Sequence, residues 1–248
     1  MDVNPADAGL PPFAEVRYWW EIRTAVGETI VVPEATFIYR DDRFEWREVT
    51  NGDVSIFWTG NDARLGEVAG EIVEDSRQIL DNILPQTAVS PLHVYIYPAT
   101  ADLRTGLRLA GWDVQNGHVD PELGLLLVTA VNPLTAAADL GQSIPHALAH
   151  LRFHQLAPAV SLPFWYEEGI ALLAAGGAGG LDELLAAAVA NETTMPIQNL
   201  CAAFPQEAAE AELASAQAVS LLRYIQDRFG DQALRQLGSH YVAGLDCP

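Results

Sequence analysis

Residues 144–150 read Ile-Pro-His-Ala-Leu-Ala-His, and residues 163–171 read Pro-Phe-Trp-Tyr-Glu-Glu-Gly-Ile-Ala. His146 and His150 are four positions apart, so on a helix they lie on one face, one turn above the other. Their imidazoles can then bind one metal ion at about 2.0–2.1 Å each. Taken alone, this spacing favours two histidines that only pack within a helix.

The second stretch adds a carboxylate that changes this interpretation. Glu168 follows His150 by eighteen positions and stands directly before a glycine, on a separate predicted helix. A carboxylate there completes a site of two histidines and one glutamate, with a fourth position open for water. The alternative for Glu168 is a solvated acidic residue beside Glu167. The whole combination is more specific than any part of it, and it predicts a metal site formed by His146, His150 and Glu168.

Two runs of sequence carry a resemblance to a known family. "IPHALAHLRFHQL" and "LPFWYEEGIALL" are similar to the "IPHELxHxxxxQ" and "LPxWLxEGLA" of the peptidase MA-like family, a family of gluzincins. Weaker similarity extends over residues 37–248. The resemblance implies one zinc ion held by His146, His150 and Glu168. It also implies a zincin-like fold, in which a mixed sheet lies under the active-site helix, and an exported protein.

One position departs from the family's HExxH motif. Ala147 stands where the family has a glutamate that takes a proton from zinc-bound water and passes it to the leaving amine. Zinc alone lowers the pKa of its water to about 7, but positioned proton transfer contributes about 10²–10⁴ in rate. Glu167 is the nearby carboxylate in sequence. One helical step from Glu168 turns it about 100° away, so we expect no substitute base there.

The alanine at position 147 has two explanations, an engineered replacement that traps substrate or the natural decay of an enzyme. Similar sequences often carry a tyrosine and a serine where this chain has Ser215 and Ala218. A tyrosine there could stabilise a tetrahedral oxyanion. The joint loss of polar groups favours natural decay.

Three functions remain open. The first is a pseudopeptidase that binds a peptide or protein ligand without cleaving it. The second is an active or deliberately inactivated zinc endopeptidase or aminopeptidase-type hydrolase. The third is a non-enzymatic extracellular binding or structural module. Retention of both histidines and Glu168 argues against the third function, and Ala147 argues against activity.

The remainder of the chain predicts an α+β protein. Residues 13–40 alternate between apolar and polar side chains as strands do, and Pro33 indicates an edge or a bulge. Asn51-Gly52 predicts a hairpin. We therefore expect a partial β-sandwich segment at residues 1–41 and a peptidase MA-like domain at residues 42–248.

Periodicity defines the elements of the second segment. A helix is predicted over residues 63–84, with large apolar side chains on its buried face: Leu65, Val68, Ile72, Ile79 and Ile83. Strands are predicted at residues 92–97 and 123–131. The other predicted helices span residues 103–110, 135–155, 163–175, 181–190, 206–229 and 231–242.

Composition limits the partners and the location. The net charge is −20, and all 13 basic residues are arginine. Such a surface repels phosphate backbones and anionic lipids, so we expect no nucleic-acid partner. Apolar stretches are too short for direct membrane insertion. Residues 1–12 lack a signal peptide, so we expect a fragment of an extracellular or cell-surface bacterial protein whose secretion signal is absent from this chain.

The chain has two cysteines, Cys201 and Cys247, and no CxxC pair. They are either two unrelated thiols or one disulfide, which would close a loop of roughly 45 residues and stabilise the protein by about 4 kcal/mol. The resemblance favours the disulfide, because similar sequences carry cysteines near both positions.

Four further residues have a structural interpretation as the default. We expect His154 to pack within its helix and His118 to lie in a loop or edge strand beside the cleft. Trp112 and Trp165 are expected to pack in the core, the usual place of isolated tryptophans.

Overall fold

The computed structural model describes residues 10–87, 90–108, 117–132, 134–158, 160, 162–177, 179–201, 205 and 207–247. Trp112 lies outside these residues. The strands are β1 (Glu15–Tyr18), β2 (Glu21–Arg23), β3 (Thr29–Val31), β4 (Ala35–Ile38), β5 (Arg47–Asn51), β6 (Val54–Trp58), β7 (Leu92–Tyr97), β8 (His118–Asp120) and β9 (Leu125–Thr129). The helices are α1 (Arg64–Ile83), α2 (Thr100–Arg108), α3 (Ala136–Leu156), α4 (Phe164–Ala174), α5 (Leu181–Ala190), α6 (Ile197–Leu200), α7 (Ala208–Phe229) and α8 (Asp231–Val242).

Five strands form one mixed sheet in the order β5-β6-β7-β9-β8. β6, β7 and β9 are parallel, while β5 and β8 join antiparallel at the two edges. The predicted hairpin connects β5 to β6, and Gly52 adopts φ +60°, the left-handed conformation that such a turn requires. β7 and β9 are buried along nearly their whole length, as expected for central parallel strands. The predicted α+β class with a mixed sheet is therefore confirmed.

Alternation along β7 and β9 divides the core into two layers. One face of the sheet supports α1 and α3. Side chains of this face and of α3 contribute to the main core: Val94, Ile96, Leu126, Val128, Ile144 and Leu148. The other face is covered by α2 and by Phe13. The buried residues of this second layer are Tyr95, Tyr97, Leu103, Leu107, Leu125 and Leu127. The first layer matters for function, because it fixes the height of α3 above the sheet.

The buried face of α1 differs from the prediction. Its buried residues are Gly66, Ala69, Val73, Ser76, Leu80 and Ile83, whereas Ile79 is 42% exposed. Small side chains bring this helix close to the sheet, since a Cβ atom on Gly66 would lie 2.4 Å from the Trp58 ring. The prediction was wrong at Ile79 because it weighed only large apolar residues.

Residues 13–40 form one long β-hairpin whose side chains are mostly exposed. β1 pairs with β4 and β2 with β3, both antiparallel. Tyr18 lies opposite Ala35 and Glu21 opposite Val31. The second half of the hairpin, residues 29–38, here called the return strand, therefore holds one extra residue, beside Pro33. The hairpin is joined to the sheet at its base, where the Phe13 ring stacks on Tyr95 with centroids 3.4 Å apart. The division of the chain at residues 41 and 42 stays a prediction.

Asp41 anchors the chain where the hairpin meets the sheet. Its buried carboxylate accepts two hydrogen bonds from the Arg43 guanidinium, at 2.8 and 2.6 Å, and one from the Tyr97 hydroxyl at 2.9 Å. Burial would raise the pKa of Asp41, but the bonds from Arg43 and Tyr97 outweigh it and hold the pKa below its usual value. The ionised carboxylate therefore contributes to stability.

The Asp41→Asn variant is expected to lose about 1–3 kcal/mol of unfolding free energy at neutral pH, because the bonds from Arg43 then lose their charged acceptor. A lowered pKa stabilises the fold above the unfolded-state pKa, about 3.9, and this contribution disappears as the pH falls through the folded-state pKa. The difference between wild type and variant should therefore shrink below about pH 4. Urea unfolding at neutral and acid pH measures this difference in unfolding free energy. A difference that stays the same at both pH values would contradict the prediction.

The structure also places the remaining predicted residues. A disulfide joins Cys201 to Cys247 across a sequence separation of 46. Trp165 is buried as predicted, but His154 is exposed on α3, so its predicted packing role is wrong. Within the described residues, none of the helices combines the length and apolarity needed to cross a membrane.

Candidate metal centre

The two histidines lie on one face of α3, in the middle of a helix that packs on the sheet. Ile144 and Leu148 are buried against the core, which turns His146 and His150 towards the opposite, half-buried side. Their Nε2 atoms are 3.1 Å apart. The i, i+4 spacing on a helix therefore produces the convergence that the sequence predicts.

Glu168 on α4 is the third member of the group. Its Oε2 atom lies 3.6 Å from His150 Nε2 and 3.8 Å from His146 Nε2. A tetrahedral ion with ligand bonds of about 2.0–2.2 Å separates its ligand atoms by roughly 3.3–3.6 Å. The three observed separations lie close to this range, so His146, His150 and Glu168 can hold a metal ion such as zinc with small adjustments.

Glu167 orients one of the histidines, a role that the sequence did not predict. Its Oε1 atom lies 3.1 Å from His150 Nδ1, the ring nitrogen that faces away from the group. A carboxylate in this position fixes the ring and the tautomer of a metal-binding histidine. The step of about 100° along α4 turns the Glu167 side chain away from the metal ligands and towards the outer side of the His150 ring.

Close packing of α4 on α7 positions Glu168. Gly169 sits at the contact, where a Cβ atom would lie 2.7 Å from the Leu222 side chain and 3.0 Å from the Ala218 backbone. This approach brings Ser215 of α7 within hydrogen-bonding reach of the Glu168 carboxylate. The glycine after the glutamate therefore serves helix packing, and Ser215 is a partner of Glu168.

A comparison with protein families decides the family of this chain. The model of the Peptidase MA superfamily matches residues 78–247. The chain belongs to the peptidase MA superfamily. The matched range includes α3, α4 and α7, and it omits the hairpin and strands β5 and β6, although the resemblance noted above began at residue 37. No curated protein matches the chain.

Membership of the peptidase MA superfamily gives the histidine–glutamate group a chemical meaning. Members are typically metal-dependent, and the donor set here, two imidazoles and one carboxylate, is the set of catalytic zinc sites that keep a fourth position open. Both the ligand separations and the carboxylate behind His150 suit such an ion. When bound, zinc supplies Lewis acidity and an acidified water.

The charges of the group are arranged around His150. Burial would lower the pKa of His150, but hydrogen bonds to Glu167 and Glu168 raise it to about 9. Burial lowers the pKa of His146. Burial would raise the pKa of Glu168, yet its bond with His150 and the nearby charges lower it. The raised pKa favours a protonated His150 between the two carboxylates at neutral pH, and a metal ion bound to its Nε2 atom would displace the proton from that atom.

A cavity of about 460 Å³ opens beside the histidines, and Ala147 contributes to its wall. Ala147 is 8% exposed, so its methyl group leaves this side of α3 apolar next to His146. Ser143, one turn earlier on α3, lines the same cavity. Position 147 itself offers no carboxylate that could accept a proton.

Strand β8 forms the opposite wall of this cavity. His118 and Val119 line it, and His118 lies on an edge strand, one of the two placements predicted for it. Burial lowers the pKa of His118, which favours the neutral imidazole. Within the described residues β8 pairs with β9 alone, so its other edge faces away from the sheet.

Proposed function

We propose that this protein is a zinc-binding pseudopeptidase that holds an extended peptide without cleaving it. One observation carries the proposal: the ligand group of His146, His150 and Glu168 is kept together with its supporting residues, while Ala147 replaces the proton-transfer group. A protein that had lost all use of the site would have no need for a second carboxylate on His150. We therefore propose that the function of the site is binding.

Peptide binding is supported by the geometry around the cavity. An extended peptide can add a strand to an exposed sheet edge, where main-chain hydrogen bonds provide affinity. Within the described residues no strand pairs with the outer edge of β8, and β8 lines the cavity beside the metal ligands. A peptide there would bring a carbonyl oxygen towards the fourth position of the ion. Its amide would then be polarised, but no carboxylate at position 147 would move the proton that hydrolysis requires.

We further propose that the protein acts outside the cell. The disulfide between Cys201 and Cys247 supports this location, because disulfides persist in oxidising compartments. The net charge of −20 makes nucleic acid an unsuitable partner. A peptide or protein ligand is therefore the partner we propose.

Zinc content tests the proposal directly. Protein purified without chelator is expected to hold about one zinc ion per chain by elemental analysis, and His146→Ala should abolish it. His154→Ala is the matched control, because His154 lies two turns further along α3 and is exposed. Glu167→Gln should retain the fold and weaken zinc affinity by about 10–100-fold, the usual effect of losing such a supporting group.

Two outcomes would lead to other functions. Absence of zinc, even after supplementation, would contradict the metal site and leave a peptidase fold used as a binding or structural module. Zinc together with cleavage of casein or of a peptide library by the unaltered chain would identify an active peptidase with a base elsewhere. The proposed pseudopeptidase requires zinc, peptide binding and no cleavage.

A further inference from the structure

The outgoing strand of the N-terminal hairpin is unusually apolar for an exposed segment. Residues 15–23, here called the outgoing strand, read Glu-Val-Arg-Tyr-Trp-Trp-Glu-Ile-Arg. Large side chains along it are about half exposed: Tyr18 43%, Trp19 55%, Trp20 53% and Ile22 50%. Exposed apolar strands of this kind mark contact surfaces.

The backbone of the outgoing strand is paired on one side only. Tyr39 N donates to Ala14 O, Val32 N to Trp20 O and Thr24 N to Glu28 O. Even-numbered residues of the outgoing strand therefore face the return strand. Because backbone groups alternate in an antiparallel ladder, the N–H and C=O groups of the odd-numbered residues, 15 to 23, point to the outer edge. Among the described residues, no further strand pairs with that edge.

The return strand is protected against such pairing. It contains Pro33, which lacks an N–H group, and the one-residue bulge between the two ladders. Prolines and bulges are the devices by which proteins block sheet edges. The outgoing strand has neither, so it is the edge that remains available for pairing.

We propose that two copies of this chain associate by antiparallel pairing of their outgoing strands, centred on Trp19. In that register Glu15 faces Arg23 of the second copy, and Arg17 faces its Glu21. All four charged residues of the strand thus meet an opposite charge across the two-fold axis. On the other face of the new four-stranded sheet, Val16 meets Ile22, and Tyr18 meets Trp20.

This register places all four charged residues against opposite charges, and the two neighbouring registers do not. The backbone groups of the odd-numbered residues face outwards. The register can therefore change only in steps that keep an odd-numbered residue of one copy opposite an odd-numbered residue of the other. Moving one step in one direction places Glu15 against Glu21, and one step in the other places Arg17 against Arg23. Like charges directly opposite each other destabilise a strand pair, and opposite charges or aromatic pairs stabilise it. The sequence of the strand therefore favours the symmetric arrangement that is centred on Trp19.

The overall charge explains why a second copy docks here. Two chains of net charge −20 repel each other over most of their surface. Residues 13–40 carry four glutamates against three arginines and are almost neutral. The hairpin is thus the part of the surface where exposed apolar residues coincide with weak repulsion. This inference is independent of the metal site.

Light scattering and sedimentation of the full chain test the proposal. Over a concentration series the mass should approach twice 26.9 kDa. Arg17→Glu and Glu21→Arg should each weaken self-association by about tenfold or more, since each converts two symmetric attractive pairs into repulsive ones. The double variant Arg17→Glu/Glu21→Arg exchanges the charges of the same pair and should restore the dimer.

The controls separate this edge from any other contact. Arg108→Glu and Glu34→Arg make the same charge changes on α2 and on the return strand, and should leave the dimer intact. Trp19→Pro removes an outward N–H group and should give a monomer with an unchanged circular dichroism spectrum. A chain that stays monomeric at every concentration overturns the proposal. So does a dimer that survives Trp19→Pro, or a double variant that fails to recover association.

Discussion

The Ala147→Glu variant is expected to hydrolyse peptides about 10²–10⁴ times faster than the unaltered chain, the usual contribution of a positioned general acid–base group. Ala147 borders the cavity beside His146, so a glutamate side chain there has room to extend next to the open metal position. The ligand group and its support from Glu167 are already in place. Under the proposed function, the proton transfer is then the step that this variant restores.

Turnover of casein and of a fluorogenic peptide library measures this effect, with zinc content determined on the same samples. Ala147→Gln is the matched control, because it fills the same space without a carboxylate and should remain inert. A zinc-loaded Ala147→Glu variant without activity would show that decay extends beyond position 147. Ser215, which lies within hydrogen-bonding reach of Glu168, would then be the next position to examine.

Removal of the disulfide should have the largest effect on stability. The Cys201→Ser/Cys247→Ser variant is expected to lose about 4 kcal/mol of unfolding free energy, because the cross-link closes a loop with a sequence separation of 46 and restricts the unfolded chain. The link also holds residues 243–247 against the main core, where both cysteines pack. The C-terminal tail should therefore become the first part of the variant to open.

Urea unfolding with and without a reducing agent provides the measurement. Reduction should destabilise the unaltered chain by about the same 4 kcal/mol and should leave the double serine variant unchanged. Retention of zinc by the variant would show that the disulfide stabilises the fold without forming the metal site. Equal stability of the two proteins would contradict the expected contribution.

The sequence alone predicted the grouping of His146, His150 and Glu168 and most of the elements around it. Helical geometry places His146 and His150 on one face whatever the rest of the fold does. The β5–β6 hairpin follows from Asn51-Gly52, whose turn conformation few other residues adopt. Such features depend on neighbours along the chain, and local backbone geometry is enough to fix them.

Tertiary structure decided which neighbours the ligands have. Glu167 became a partner of His150 only because α4 crosses α3 at this particular angle and distance, and Ser215 reaches Glu168 only because Gly169 admits α7. The same holds for the buried face of α1, where Gly66 and its small neighbours allow an approach that large apolar residues would not. These contacts join residues far apart in sequence. They depend on how closely two elements pack, and the spacing of residues within one element carries no information about that distance.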